Sequence, residues 1–116
     1  MLSSHPPSQE DRKSVRITRS LAAMYSSNCP PIAARVEDVS ETGMYLDTHH
    51  PLSLGQLIRF RIELPDDQPD KPIEGVGRVV WTEQMLGAGI EFVQIDPADK
   101  TRIRFYVAEQ LFSPPI

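Results

Sequence analysis

The chain has 116 residues, a formal net charge of −4 and a composition that is 40% hydrophobic and 24% charged. This is enough for one domain with one modest core and too little for a separate output domain, so any effect on a cell is expected to pass through a partner. The ordinary apolar fraction excludes wholesale disorder, and the acidic balance disfavours a protein that tracks nucleic-acid polymers.

Residues 1–10 hold almost no apolar side chains and are expected to form a flexible tail. Met1 to His5 has neither a basic leader nor an apolar run, and no later stretch is long enough to cross a bilayer, so a cytoplasmic location without membrane insertion is expected. The one cysteine, Cys29, cannot form an intrachain disulfide, which fits a reducing compartment.

A basic arm at 11–18 comes next, and Arg12, Lys13, Arg16 and Arg19 concentrate positive charge in an otherwise acidic chain. From Ser20 onward short apolar runs alternate with Pro, Gly, Asn and Asp, which is the pattern of an antiparallel all-β domain. Strands are expected near 19–26, 32–38, 43–48, 56–64, 73–83 and 87–93. The clearest is Ile58 to Leu64, in which apolar and charged residues alternate throughout, so one face is buried and the other wet. The polar stretch Pro65 to Pro72 reads as a hairpin loop to the next strand. Six short strands with tight links predict a six-stranded antiparallel β-barrel over 19–93, a closure that also removes exposed edges.

The last element changes period. Asp96 is placed to cap a helix over 96–112, Pro97 suits its first position, and Asp99 favours the positive end of the helix dipole. Ile103, Tyr106, Val107 and Leu111 then recur at helical spacing, predicting one apolar stripe that closes a mouth of the barrel. Pro114 and Pro115 end it, leaving a short tail at 113–116.

Two motifs carry chemistry. In Arg12-Lys13-Ser14-Val15-Arg16 two arginines stand four apart, and each offers a planar fork of donors suited to a phosphate or to the O6 and N7 acceptors of guanine. In Asp38-Val39-Ser40-Glu41-Thr42-Gly43 a carboxylate and a hydroxyl can accept from guanine N1 and N2, the edge arginine cannot read because it has no acceptor. Gly43 is expected to permit the turn and a close ligand approach. Taken singly, the first motif is also what a solvated basic segment looks like, and the second what a plain Asx or Ser turn looks like.

In order, Arg-x-x-x-Arg, a first strand, Asp-x-Ser-x-x-Gly, Gly77-Arg78-Val79-Val80-Trp81 and Gly89-Ile90-Glu91-Phe92 resemble the PilZ domain of bacteria over roughly residues 11–110. That resemblance implies a PilZ-type barrel with a C-terminal helix and a non-enzymatic receptor for cyclic di-GMP, with no other cofactor. Arg12 and Arg16 would contact phosphate and the Hoogsteen edge of guanine, Asp38 and Ser40 would face the base, and Gly43 would keep the turn. Many members carry a further arginine immediately before the first motif arginine, associated with a stacked ligand pair; this chain has Asp11, which favours one ligand per domain. The implied mechanism is that the ligand orders the arm, and the new surface is read by a downstream protein that the sequence does not name. The alternative is an interaction adaptor of the same fold that does not bind the nucleotide appreciably.

Other residues are assigned plainer roles. His49 and His50 precede Pro51 in a turn and are not expected to hold a metal; Cys29 has no activating neighbour pattern for a nucleophile. Phe60 shares a face with Ile58 and Ile62 and belongs to the core rather than to a stacking platform with Trp81 and Phe92. Arg35, between Ala34 and Val36, should point outward from its strand.

Overall fold

The computed structural model describes residues 17–27 and 30–112. The expected tails, Asp11, Arg12, Arg16 and Cys29 lie outside the described residues. Among the described residues six strands and one helix follow in order: β1 Ile17–Ser26, β2 Ile32–Val39, β3 Gly43–Asp47, β4 Leu57–Ile62, β5 Ile73–Glu83, β6 Gly87–Ile95 and α1 Pro97–Phe112. All pairings are antiparallel and the sheet closes on itself in the order β1-β2-β3-β6-β5-β4. The expected all-β barrel with a C-terminal helix is thus observed.

Period-two alternation builds the wall. Along β4 Ile58, Phe60 and Ile62 are buried while Leu57, Arg59 and Arg61 are exposed. The same logic buries Met44 and Leu46 of β3 and turns Tyr45 and Asp47 outward. Inside, Val36, Val39, Met44, Leu46, Ile58 and Ile62 are almost fully excluded from water, and each such side chain contributes roughly 1.5–3 kcal/mol through burial. Phe60 is buried as expected and packs on Phe92 with ring centroids 5.0 Å apart. Arg35 is exposed, as its position between Ala34 and Val36 implies.

Asp96 caps α1: its Oδ1 accepts from the Ala98 amide at 2.9 Å, and its carbonyl accepts from Asp99 and Lys100. Ile103, Tyr106 and Val107 join the barrel core. Leu111 does not; it is 49% exposed, so the apolar stripe is shorter than its spacing implied. The mouth of a six-stranded barrel accepts the turn bearing Ile103, Tyr106 and Val107, and the helix continues beyond it.

Opposite the cap, Arg102 anchors the β4–β5 loop. Its Nε and Nη2 donate to the two carboxylate oxygens of Asp66 at 2.8 and 2.9 Å, and further bonds reach Asp99 and the carbonyls of Gln68 and Lys71. The guanidinium holds the Asp66 carboxyl below the usual carboxylate range, chiefly through this hydrogen bonding. In return Asp66, first among its partners, raises the pKa of Arg102.

Candidate functional site

The second motif forms the connection between β2 and β3. Val39 pairs with Met44, and the Ser40 amide donates to the Gly43 carbonyl at 2.9 Å, leaving Glu41 and Thr42 at the tip. The turn is fastened to the barrel because the Phe92 amide of β6 donates to the Thr42 carbonyl at 2.9 Å. Ser40 is fully buried, and its Oγ accepts from the Thr42 amide at 3.2 Å and shares a 3.0 Å hydrogen bond with Thr42 Oγ1. This is a Ser turn, with the hydroxyl bonded to the residue two positions on.

Gly43 matters for the packing of two strands rather than for a positive φ. Its φ is not among the positive values of the described residues, which occur only at Met85 and Gly55. A Cβ at Gly43 would instead collide with the backbone carbonyl of Ile90, so glycine is required for the close approach of β3 to β6.

Asp38 is partly buried on β2 and pairs across to Tyr45 of β3 and to Thr18 of β1. A register shift between Val36 and Asp38 re-aims this strand end. The β1 pairing has a direct positional result: Ile17 lies opposite Val39, so the chain enters the barrel beside the strand end carrying Asp38 and Ser40. Arg16 immediately precedes that point in the sequence.

Beside Asp38 stands a wall of Tyr45 and Trp81, of which sequence reasoning named only Trp81. Tyr45 lies over the glycine strand β6, so that a Cβ on Gly87 would meet its phenol ring 2.7 Å away, and Trp81 covers Gly89 in the same way. The two rings are 5.6 Å apart. Tyr45 Oη donates to Glu83 Oε1 at 3.1 Å. Burial first, then that hydrogen bond and the nearby carboxylates of Glu83, Asp47 and Asp38, push the Tyr45 hydroxyl further above the ordinary phenol range, keeping it a neutral donor. The signal for this wall was present in the period: Tyr45 is two residues from Gly43, and Gly87 and Gly89 are also spaced by two.

On the other flank of the turn, Arg104 of α1 reaches Glu41 at 3.0 Å. The structure therefore brings Asp38, Ser40 and Gly43 together at one strand end. No helix among the described residues is long and apolar enough to cross a membrane.

A closed antiparallel barrel, capped by a C-terminal helix and bearing an Asp-x-Ser-x-x-Gly turn between its second and third strands, defines a small β-barrel module of the PilZ type. The chain belongs to the PilZ domain family, whose family model matches residues 10–109. Among curated proteins, none matches the chain. Solved structures with the same fold include the inhibitor of motility MotI/DgrA of Bacillus subtilis, at 20% identity and a TM-score of 0.74, over 94% of this chain and 57% of that one. This chain thus spans a little over half of that protein's length. Another is the PilZ domain of CeSA from a cellulose-synthesizing bacterium, at 18% identity and a TM-score of 0.55, over 84% of this chain and 94% of that one. Identities this low speak to the fold.

Proposed function

We propose that this PilZ domain is a cytoplasmic receptor for cyclic di-GMP that acts by binding, without turnover, and presents a ligand-altered surface to a partner protein. The observation that carries the reading is the β1–β2 register. With Ile17 opposite Val39 and Thr18 opposite Asp38, the arginine motif that ends at Arg16 runs directly into the strand flanking Asp38 and Ser40. In this reading donors for phosphate and the Hoogsteen edge of guanine come from the arm, and an acceptor for its Watson–Crick edge from the end of β2. Membership of the PilZ family supports the choice of nucleotide.

In this mechanism Arg12 and Arg16 close on the phosphates and the guanine, Asp38 accepts from the base, and Gly43 keeps β3 against β6. Ordering of the arm costs conformational entropy, which charge-assisted hydrogen bonds of about 1.5–3 kcal/mol each offset. Isothermal titration with cyclic di-GMP tests this. Micromolar or tighter binding, about 8 kcal/mol or more, is expected for wild type, with marked loss in Arg16→Ala and Asp38→Ala. Absence of heat and of competition with wild type would overturn it.

One observation favours a second reading, an adaptor that does not bind the nucleotide: the Ser40 hydroxyl is buried and already bonded within its own turn. The same titration decides between them, because the adaptor gives no signal with any variant.

A further inference from the structure

Diametrically across the barrel from β3, which β4 faces three strands away in either direction round the closed sheet, the outer wall of β4 and β5 carries an unusual pattern. Leu57 lies opposite Arg78, and Arg59 lies opposite Val76. These residues alternate with the buried Ile58, Phe60, Gly77 and Val79, so all four point outward. The result is a checkerboard of two arginines on one diagonal and two aliphatic side chains on the other, with diagonal neighbours about 7–8 Å apart.

Neither Arg59 nor Arg78 has a carboxylate within ion-pair distance among the described residues, although Arg78 lies opposite Glu91 of β6 and the chain as a whole is acidic. The next residue on the face, Arg61, has only long contacts to Glu63 and Glu74, at 4.0 and 3.9 Å. By contrast Arg102 and Arg104 are engaged at about 3 Å. Leu57 is 51% exposed and Met24, opposite Arg61 on β1, 41%. A concavity of about 770 Å³ adjoins the Arg59 and Val76 end of this wall, with Met24, Arg61, Glu74 and Asp96 also in its lining, and stops short of Leu57 and Arg78.

We infer that this wall is a docking surface for a protein segment in which acidic and aliphatic residues alternate. Charge complementarity selects the acidic residues, since two exposed guanidinium groups without an ion pair among the described residues favour carboxylates brought to the surface. The aliphatic diagonal selects the rest: Leu57 and Val76 offer apolar contact between the charges, which a phosphodiester backbone does not use. Glu74 and Glu91 border the face, and no exposed aromatic side chain stands on it to stack a base. Because the barrel is closed, the segment lies across the wall through its side chains instead of adding a strand. The inference is independent of whether the nucleotide binds.

The test is fluorescence anisotropy of a fluorescein-labelled peptide of alternating glutamate and leucine, titrated with the full chain in the absence of nucleotide. A saturable rise that weakens with added salt is expected for wild type, falling by about tenfold or more in affinity for Arg59→Glu with Arg78→Glu, and less for Arg59→Gln with Arg78→Gln. Both side chains replaced are in solvent, so melting temperatures should match wild type; if the glutamate pair melts early, the glutamine pair decides. No rise with wild type, or an equal rise with both variant pairs, overturns the inference. So does a dimer in sedimentation that the same variants dissolve, which would make a second copy the occupant. Displacement of the peptide by a DNA duplex that binds wild type more tightly overturns it in favour of a polyanion site.

Discussion

Arg104 on the C-terminal helix and Glu41 at the tip of the Asp-x-Ser-x-x-Gly turn are joined across 63 residues of sequence by a 3.0 Å hydrogen-bonded ion pair. The turn is therefore held from two sides, by this pair and by the bond from the Phe92 amide to the Thr42 carbonyl. Arg104 and Glu41 are 58% and 33% exposed, so the pair is worth less than about 1 kcal/mol. Arg104→Ala should leave the melting temperature nearly unchanged while raising backbone amide exchange at Glu41 and Thr42. A melting point several degrees lower would show that the pair supports the whole domain.

Gly43→Ala should be costly. The added methyl meets the Ile90 carbonyl, and β3 must part from β6 to admit it. A loss of about 1–3 kcal/mol is expected, as for overpacked cores, measured as a lower midpoint in urea at unchanged slope. An unaltered midpoint would mean that the two strands separate more easily than their pairing suggests.

Ser40→Ala removes a buried hydroxyl that serves Thr42. It should destabilise by about 1 kcal/mol whether or not nucleotide is present. Any ligand loss in this variant therefore has to exceed what its stability accounts for, and Asp38→Ala is the cleaner probe of base recognition.

The link between Arg102 and Asp66 sets a pH dependence. The folded carboxyl titrates below its ordinary value, so it adds stability that is fully present above about pH 4 and is lost as pH falls through the lowered folded value. Wild type should exceed Asp66→Asn in stability at neutral pH, and the gap should narrow only below about pH 4. Denaturant midpoints measured for both proteins along a pH series give the result; a gap that narrowed between pH values of about 5 and 7 would assign the effect to another group.

What could be read from the chain was what depends on neighbours in sequence. The alternation in β4, the cap at Asp96 and the hairpin loop after Leu64 rest on spacing alone, and the barrel carries all three. What depends on register was hidden. The shift between Val36 and Asp38, the burial of Ser40, and the stacking of Tyr45 and Trp81 over glycines of β6 follow from which strand lies beside which. Leu111 shows the limit from the other side: helical spacing marks a stripe but not where the barrel beneath it ends.

Closure of the barrel has a kinetic side. β1 with β2, β2 with β3, β4 with β5 and β5 with β6 are neighbours in sequence and can pair early, whereas β1 must find β4, with Ala23 opposite Ile62, and β3 must find β6, with Gly43 opposite Glu91. Such long loops delay the last two seams, as distant contacts do generally. Of the strands at those seams, β1 is the one that continues directly from the arginine arm. A molecule gripping both the arm and the end of β2 would therefore also hold β1 in the wall, so a gain in resistance to unfolding would report its arrival.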